Sequence, residues 1–313
     1  MKILRTLGVL FLTLLMVPLA GCQSTSKQAD IVTTLFAHYD FAEQIVGDSM
    51  TVSLLIPPGS EAHDYEPSSQ DLEAIRNAKL FVFTSLEMDP WLGENPAQFL
   101  GEDTVMLNMH DALEMDEIAL LSEHDHNHAD ELHYWTDPVT ARTMIDILLA
   151  QILLLDPDHA STYQANASAY QQTLLGIESG FTTFLATLPN VPVIYFAGHN
   201  ALGAFGSHFG IEIVTLSDTN QPDADLTSAQ IEQLIEAIQT ADAHTLFTEE
   251  LKEPRIAETI QRELLREQYP LTLRELHAYH NVTKVQLESG LSYAEIFEQN
   301  VNQLMAALGG EDA

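Results

Sequence analysis

Residues 156–189, DPDHASTYQANASAYQQTLLGIESGFTTFLATLP, are rich in Ala, Gln and Leu and carry proline only near their two ends. Nothing inside this stretch breaks a helix, and about 30 residues rising 1.5 Å each run about 45 Å, the length of a small domain. On both sides of it the pattern alternates between strand and helix. Upstream, ADIVTTLF (29–36) reads as a strand, YDFAEQIVG (39–47) as a helix, TVSLLIPPG (51–59) as a strand, SSQDLEAIRNAK (68–79) as a helix capped by serine, and LFVFT (80–84) as a buried strand. Downstream the same style returns in VPVIYFAG (191–198), ALGAFGSHFG (201–210), IEIVTL (211–216), TSAQIEQLIEAIQTA (227–241), AHTLFTEE (243–250), EPRIAETIQRELLRE (253–267) and PLTLREL (270–276). Such alternation implies mostly parallel sheets between helices. The expected fold is α/β, with two lobes (22–150 and 191–313) joined by one long helix (151–190). With 46% hydrophobic residues over about 290 mature positions, two separate cores are affordable, and no convincing short repeat is visible.

The N-terminus sets the compartment. Lys2 and Arg5 precede an apolar stretch from Leu7 to Leu19, which ends in Leu19-Ala20-Gly21-Cys22 and a polar tail. The run is shorter than the roughly 20 apolar residues of a membrane span, so residues 1–21 read as an export signal. The end of the signal resembles those of bacterial lipoproteins, which implies that Cys22 becomes the lipidated first residue and the anchor to a bacterial membrane. Cys22 is the only cysteine, so intrachain disulfides and Cys-rich zinc sites are excluded.

Removing residues 1–21 leaves 10 basic against 46 acidic residues, a net charge of −36. A surface this acidic excludes nucleic acid as a partner and raises the local concentration of cations. It is equally compatible with plain solubility.

The thirteen histidines carry the chemistry. Binding groups in parallel α/β sheets lie on loops beyond the carboxyl ends of strands. His63 lies in PPGSEAHDYEPS just after a strand, His199 follows VPVIYFAG, and His277 follows PLTLREL with His280 three residues later. His133, in ELHYWTDP, closes the His-rich loop 123–133 before a helix starting near Asp137-Pro138. Four loops, two from each lobe, can converge on one cleft. Neutral imidazole suits Zn2+, and a closed tetrahedral shell holds the ion where an open position would catalyse.

VTTLFAHYDFAEQIVGD, PPGSEAHDYEPS, HYWTDP, GHNALGAFGSHFGIE and LSYAEIFEQNVNQLMAAL, in that order along the mature chain, resemble the solute-binding lipoproteins of bacterial zinc and manganese ABC importers. The resemblance implies two α/β lobes with the metal in the cleft between them. It further implies an ABC permease with its ATPase as partners, membrane lipid through Cys22, and a monomer. Its first three ligands map to His63, His133 and His199. Histidine at the third place is the zinc-type choice, where manganese-type members carry glutamate; an imidazole-rich shell favours Zn2+ over Mn2+.

The sequence departs from the family pattern at three points. Glu61-Ala62 and Glu131-Leu132 stand where an Asp-Pro pair often precedes the first two ligands. The fourth ligand, commonly a carboxylate in manganese-type members, falls in ELHAYHN, where His277 is the expected donor and His280, Glu249 or Glu250 are the alternatives. Glu249 and Glu250 also suit orientation of a ligating imidazole through its far N–H. His124, His126 and His128 resemble a short version of the His-rich loop of zinc-type members, an auxiliary metal-collecting segment. His38, His110, His159, His208 and His244 read as structural or surface groups.

Two other classes compete. HDHNH is reminiscent of bimetallic hydrolases, but no strand precedes it and no HExxH occurs, so no enzymatic activity is expected. A manganese receptor of the same family, a surface adhesin or a zinc store would share the fold.

Overall fold

The computed structural model describes residues 28–120, 132–215 and 228–309, with the side chains of 116–120 excepted. The export signal, Cys22 and the auxiliary histidines His124, His126 and His128 lie outside the described residues.

Two four-stranded sheets form the frame. In the first, β1 (Ile31–Thr33), β2 (Val52–Leu54), β3 (Leu80–Phe83) and β4 (Val105–Asn108) lie in the order β2-β1-β3-β4, all parallel. In the second, β5 (Val193–Ala197), β6 (Glu212–Thr215), β7 (Thr245–Glu249) and β8 (Thr272–Leu276) lie in the order β6-β5-β7-β8, again all parallel. The two sheets therefore repeat one topology, although the sequence shows no repeat. In both, the order reverses at the first strand, the place where open α/β sheets bind ligands beyond their strand ends. Every residue of β3 and of β7 is buried, as expected for central parallel strands covered on both faces.

The helices of the first lobe are α1 (Phe36–Val46), α2 (Ser69–Asn77), α3 (Met109–Leu120) and α4 (Pro138–Leu155). Ser68 and Asp71 close a capping box on α2. The carboxylate of Asp137 caps α4, accepting from the amides of Val139 and Thr140, and Pro138 takes the first helical position. The long helix α5 (Ala160–Leu185) has 26 residues, shorter than the segment read as helical because Pro157–His159 form a separate 3-10 turn. At 1.5 Å per residue it spans about 39 Å. It buries Tyr163, Ala167, Tyr170, Leu174 and Phe181, a single face. Near its start Asn166 donates to the carbonyl of Ile45 in α1, and near its end Phe181 packs on Phe209 at 4.9 Å. One helix thus touches both lobes.

The second lobe adds α6 (Gly203–Phe209), α7 (Ser228–Thr240), α8 (Arg255–Arg266), α9 (Lys284–Ser289) and α10 (Tyr293–Leu308). One core, including Phe36, Phe41, Trp135, Leu148, Phe205 and Phe297, runs through both lobes. Smaller cores around Ile75 and Phe83, and around Ile238 and Leu264, cover the other faces of the two sheets. The pairing of β4 with β3 was not expected. Its apolar run, Val105-Met106-Leu107, is only three residues long, and Val105 and Met106 are exposed.

Candidate metal centre

His63 follows β2, and His133 opens the 3-10 turn Tyr134–Thr136 that leads into α4. His199 follows β5, and His280 follows β8. These four imidazoles converge, each offering a ring nitrogen within 4.8 Å of the others. All six ring-centroid separations fall between 5.0 and 5.5 Å, so the four rings occupy the corners of a nearly regular tetrahedron.

The Nε2 atom of His133 lies 3.4 Å from Nε2 of His63 and 3.3 Å from Nε2 of His199. Those separations are long for N–H···N hydrogen bonds, which favour about 2.7–3.2 Å. Two nitrogens bound tetrahedrally to one Zn2+ at 2.0–2.1 Å lie about 3.3–3.4 Å apart. The donor set and its spacing fit a four-coordinate ion of that size.

The electrostatics favour the neutral form of two of these rings. Burial, then the neighbouring rings of His280, His199 and His63, push the His133 imidazole well below its usual range. Burial and its histidine neighbours do the same to His280, with a smaller contribution from Lys252.

The expected fourth donor, His277, is not in this group; His280 is. The reason is local. Tyr279, between them, has φ +63°, a left-handed turn that sends His280 into the cleft and keeps His277 on its own loop. The Tyr279 amide donates to Nδ1 of His277 at 2.8 Å, and Asn300 brackets the His277 backbone, accepting from its amide and donating to its carbonyl. The Tyr279 ring stacks on Tyr293 at 4.2 Å, which holds the turn.

Glu249 and Glu250 lie behind the rings. Glu249 Oε1 is 2.8 Å from Nδ1 of His199, and Glu250 Oε1 is 3.3 Å from Nδ1 of His280. Glu250 also accepts from the Ala278 amide at 3.0 Å, which fixes it to the same loop. Both carboxylates are buried, and with His280 they form a second group of close donors. Glu250 is placed to orient the His280 ring through Nδ1, Glu249 stands beside His199 Nδ1 without hydrogen-bond geometry, and both carboxylates offset the charge of a dication.

The loop carrying His280 is stitched to the first lobe. Trp135 Nε1 donates to the Ala278 carbonyl at 2.8 Å, the Phe36 amide to the His280 carbonyl at 3.1 Å, and Asn281 Nδ2 to the carbonyls of Pro57 and Ser60 at 2.7 and 3.0 Å. Glu61, standing where the family often has aspartate, accepts from the Ala62 amide at 2.9 Å and lies 3.4 Å from Lys252 Nζ across the cleft.

His38, His110, His159, His208 and His244 lie outside the four-ring group. His110 shares the start of α3 with Asp111 and Glu114, a cluster that is largely exposed.

Two parallel α/β lobes spanned by one helix, with four imidazoles between them, define a solute-binding protein built for a cation. The profile of ZnuA, zinc-uptake complex component A, periplasmic, matches residues 31–307, and the chain belongs to that family. It is 28% identical over 308 residues to the high-affinity zinc uptake system protein ZnuA of Bacillus subtilis, covering 94% of both chains. It is 25% identical over 312 residues to the zinc-binding lipoprotein AdcA of Streptococcus pneumoniae, covering 96% of this chain but 60% of that longer protein. Among solved structures, the metal-dependent lipoprotein YcdH of Bacillus subtilis superposes with a TM-score of 0.72 at 26% identity, over 88% of this chain and 98% of that one.

Proposed function

We propose that the protein is an extracytoplasmic zinc receptor, anchored to a bacterial membrane through Cys22, that delivers Zn2+ to an ABC permease driven by its ATPase. His63, His133, His199 and His280 close around the ion as four nitrogen donors, Glu250 holds the His280 ring by its far nitrogen, and Glu249 lies 2.8 Å from Nδ1 of His199. The observation that carries this reading is the tetrahedral spacing of the cage, with Nε2 separations of 3.3 and 3.4 Å. Membership of the zinc-uptake family, and relatives named for zinc uptake and zinc binding, support the choice of metal and the route of delivery.

A shell closed by four protein ligands leaves no position for an activated water, which argues for carriage over catalysis. The lobes act together as a monomeric clamp, and His124, His126 and His128 collect zinc beside the cleft without forming its tight site.

Calorimetric titration of the metal-stripped chain from Gln23 onward with Zn2+, then Mn2+, tests the proposal. One tight zinc site that Mn2+ does not displace is the expected result, and it should persist when His124, His126 and His128 are replaced by alanine. Mn2+ binding as tightly as Zn2+ would move the ligand role towards Glu249 and Glu250 and overturn the zinc reading.

A further inference from the structure

His208 in α6 has a carboxylate at each ring nitrogen. Nδ1 lies 3.1 Å from Asp137 Oδ1, and Nε2 lies 3.0 Å from Glu178 Oε1. The Asp137 side chain is 0% exposed and that of Glu178 14%, so the ring bridges two sheltered groups. Arg142 of α4 forms a further ion pair with Glu178. These are the charged groups that face His208 from the elements around it: Asp137 and Arg142 at α4, and Glu178 on α5. The rest of α6, GAFGSHF, contributes no other charged side chain.

Ionised carboxylates only accept hydrogen bonds, and an imidazole donates from both nitrogens only when it carries both protons. Burial pushes the Glu178 carboxyl up, but the hydrogen bonds and charges of His208 and Arg142 outweigh it and hold the group below its usual range. His208 therefore has a carboxylate oxygen at each ring nitrogen, at 3.1 Å and 3.0 Å.

The position of this bridge matters more than its strength. Asp137 is the cap of α4 and lies four residues after His133, on a turn made rigid by the Thr136 hydroxyl donating to the His133 carbonyl at 3.0 Å. His208 lies nine residues after His199, on the helix that packs against that same turn. Glu178 belongs to the long helix that touches both lobes. The bridge thus joins the segment bearing one imidazole of the cage to the segment bearing another, with the linking helix as its third point.

We propose that His208 is a positioning residue for the metal cage: the Asp137–His208–Glu178 clasp sets the His133 turn of one lobe against the His199 segment of the other. The proposal rests on the cleft's being a metal site.

The test has two parts. In the metal-free chain, nitrogen-15 spectra should show both His208 ring nitrogens in contact with a carboxylate; a ring nitrogen open to water overturns the clasp. Zinc affinity should fall at least about tenfold in His208→Ala, the lower bound seen when groups that orient ligands are lost. His208→Gln, whose amide offers two N–H donors, should recover part of that loss and serves if the alanine variant does not fold. Zinc affinity unchanged from wild type in a folded His208→Ala, or no better in His208→Gln than in His208→Ala, overturns the positioning role. A wild-type chain that binds no metal while its His208 ring keeps both carboxylate contacts would instead refute the metal reading, so the two failures are told apart.

Discussion

Nε2 of His133 lies 3.3 Å from Nε2 of His199, although the two residues are 66 positions apart and belong to different lobes. Two buried imidazole nitrogens at this distance make at best a long hydrogen bond, and they repel if both rings are protonated. A shared cation resolves both problems, and its field favours the deprotonated state of every ring around it. The contact also means that neither lobe holds a full shell: His63 and His133 come from the first, His199 and His280 from the second. Binding and the relative placement of the lobes are therefore one event.

Alanine at His63, His133, His199 or His280 should each weaken zinc binding by more than about 100-fold, beyond the range for groups that only orient a ligand. His277→Ala should cost less, since its ring stands outside the four-ring group, with Nδ1 accepting from the Tyr279 amide and lying 3.5 Å from Glu250 Oε1. Competition against a fluorescent chelator measures both. A His277 variant as weak as the His280 variant would return the fourth position to His277.

Glu249→Gln and Glu250→Gln should each lower zinc affinity by about 10- to 100-fold without removing a ligand. Glutamine keeps the shape and an acceptor oxygen but lacks the negative charge that offsets a buried dication. Tetrahedral cobalt spectra offer the complementary reading: the band positions should shift slightly with four nitrogens retained. Loss of the tetrahedral spectrum in either variant would mean that a carboxylate is itself a ligand.

Much of this architecture is legible in the residues. The alternation of apolar β-branched runs with amphipathic stretches marks seven of the eight strands, because central parallel strands must be apolar on both faces. The strand at Val105–Asn108 escapes because its apolar run, Val105-Met106-Leu107, is only three residues long. His63 and His199 are visible from their places after strands, and His133 from its place before the helix that starts at Asp137-Pro138. The fourth is not, because the choice between His277 and His280 depends on the backbone at Tyr279, a non-glycine residue in a left-handed conformation that no residue type announces. The role of His208 is hidden for the same kind of reason: its partners at positions 137 and 178 approach it only once α4, α5 and α6 have packed.

Protons compete with the metal for every ring of the cage. Burial, followed by the charges of the neighbouring rings, holds His133 and His280 well below the usual histidine range, so these two begin to take up protons only at lower pH than a free imidazole. Zinc affinity should therefore hold through the free-imidazole range near about pH 6.5 and fall only at lower pH, where the buried rings take up protons. Titrations in one buffer series from pH 8 downward measure it. An affinity that already falls through about pH 6.5, as for free imidazoles, would contradict the shielding of these two rings.

His38 supplies a second pH dependence, one of stability rather than binding. Its side chain is fully buried in α1, neither ring nitrogen bonds to a described residue, and burial pushes its pKa down to about 3. A group with a depressed folded-state pKa contributes stability above its unfolded value of about 6.5 and loses it as pH falls towards the folded value, at about 1.4 kcal/mol per pH unit. Buried Asp40 and Asp89 act in the opposite sense. Burial raises both to about 6, so their contribution is present in acid and is lost as pH rises through that value. His38→Leu removes only the first effect, and it replaces a ring with two unpaired polar atoms by an apolar group of similar size. The variant should be at least as stable as wild type at pH 7.5 and more stable by about 2 kcal/mol at pH 5. Urea unfolding of the metal-free proteins at the two pH values gives the difference directly. An advantage that does not grow on acidification would mean that the ring finds a proton acceptor in the folded chain.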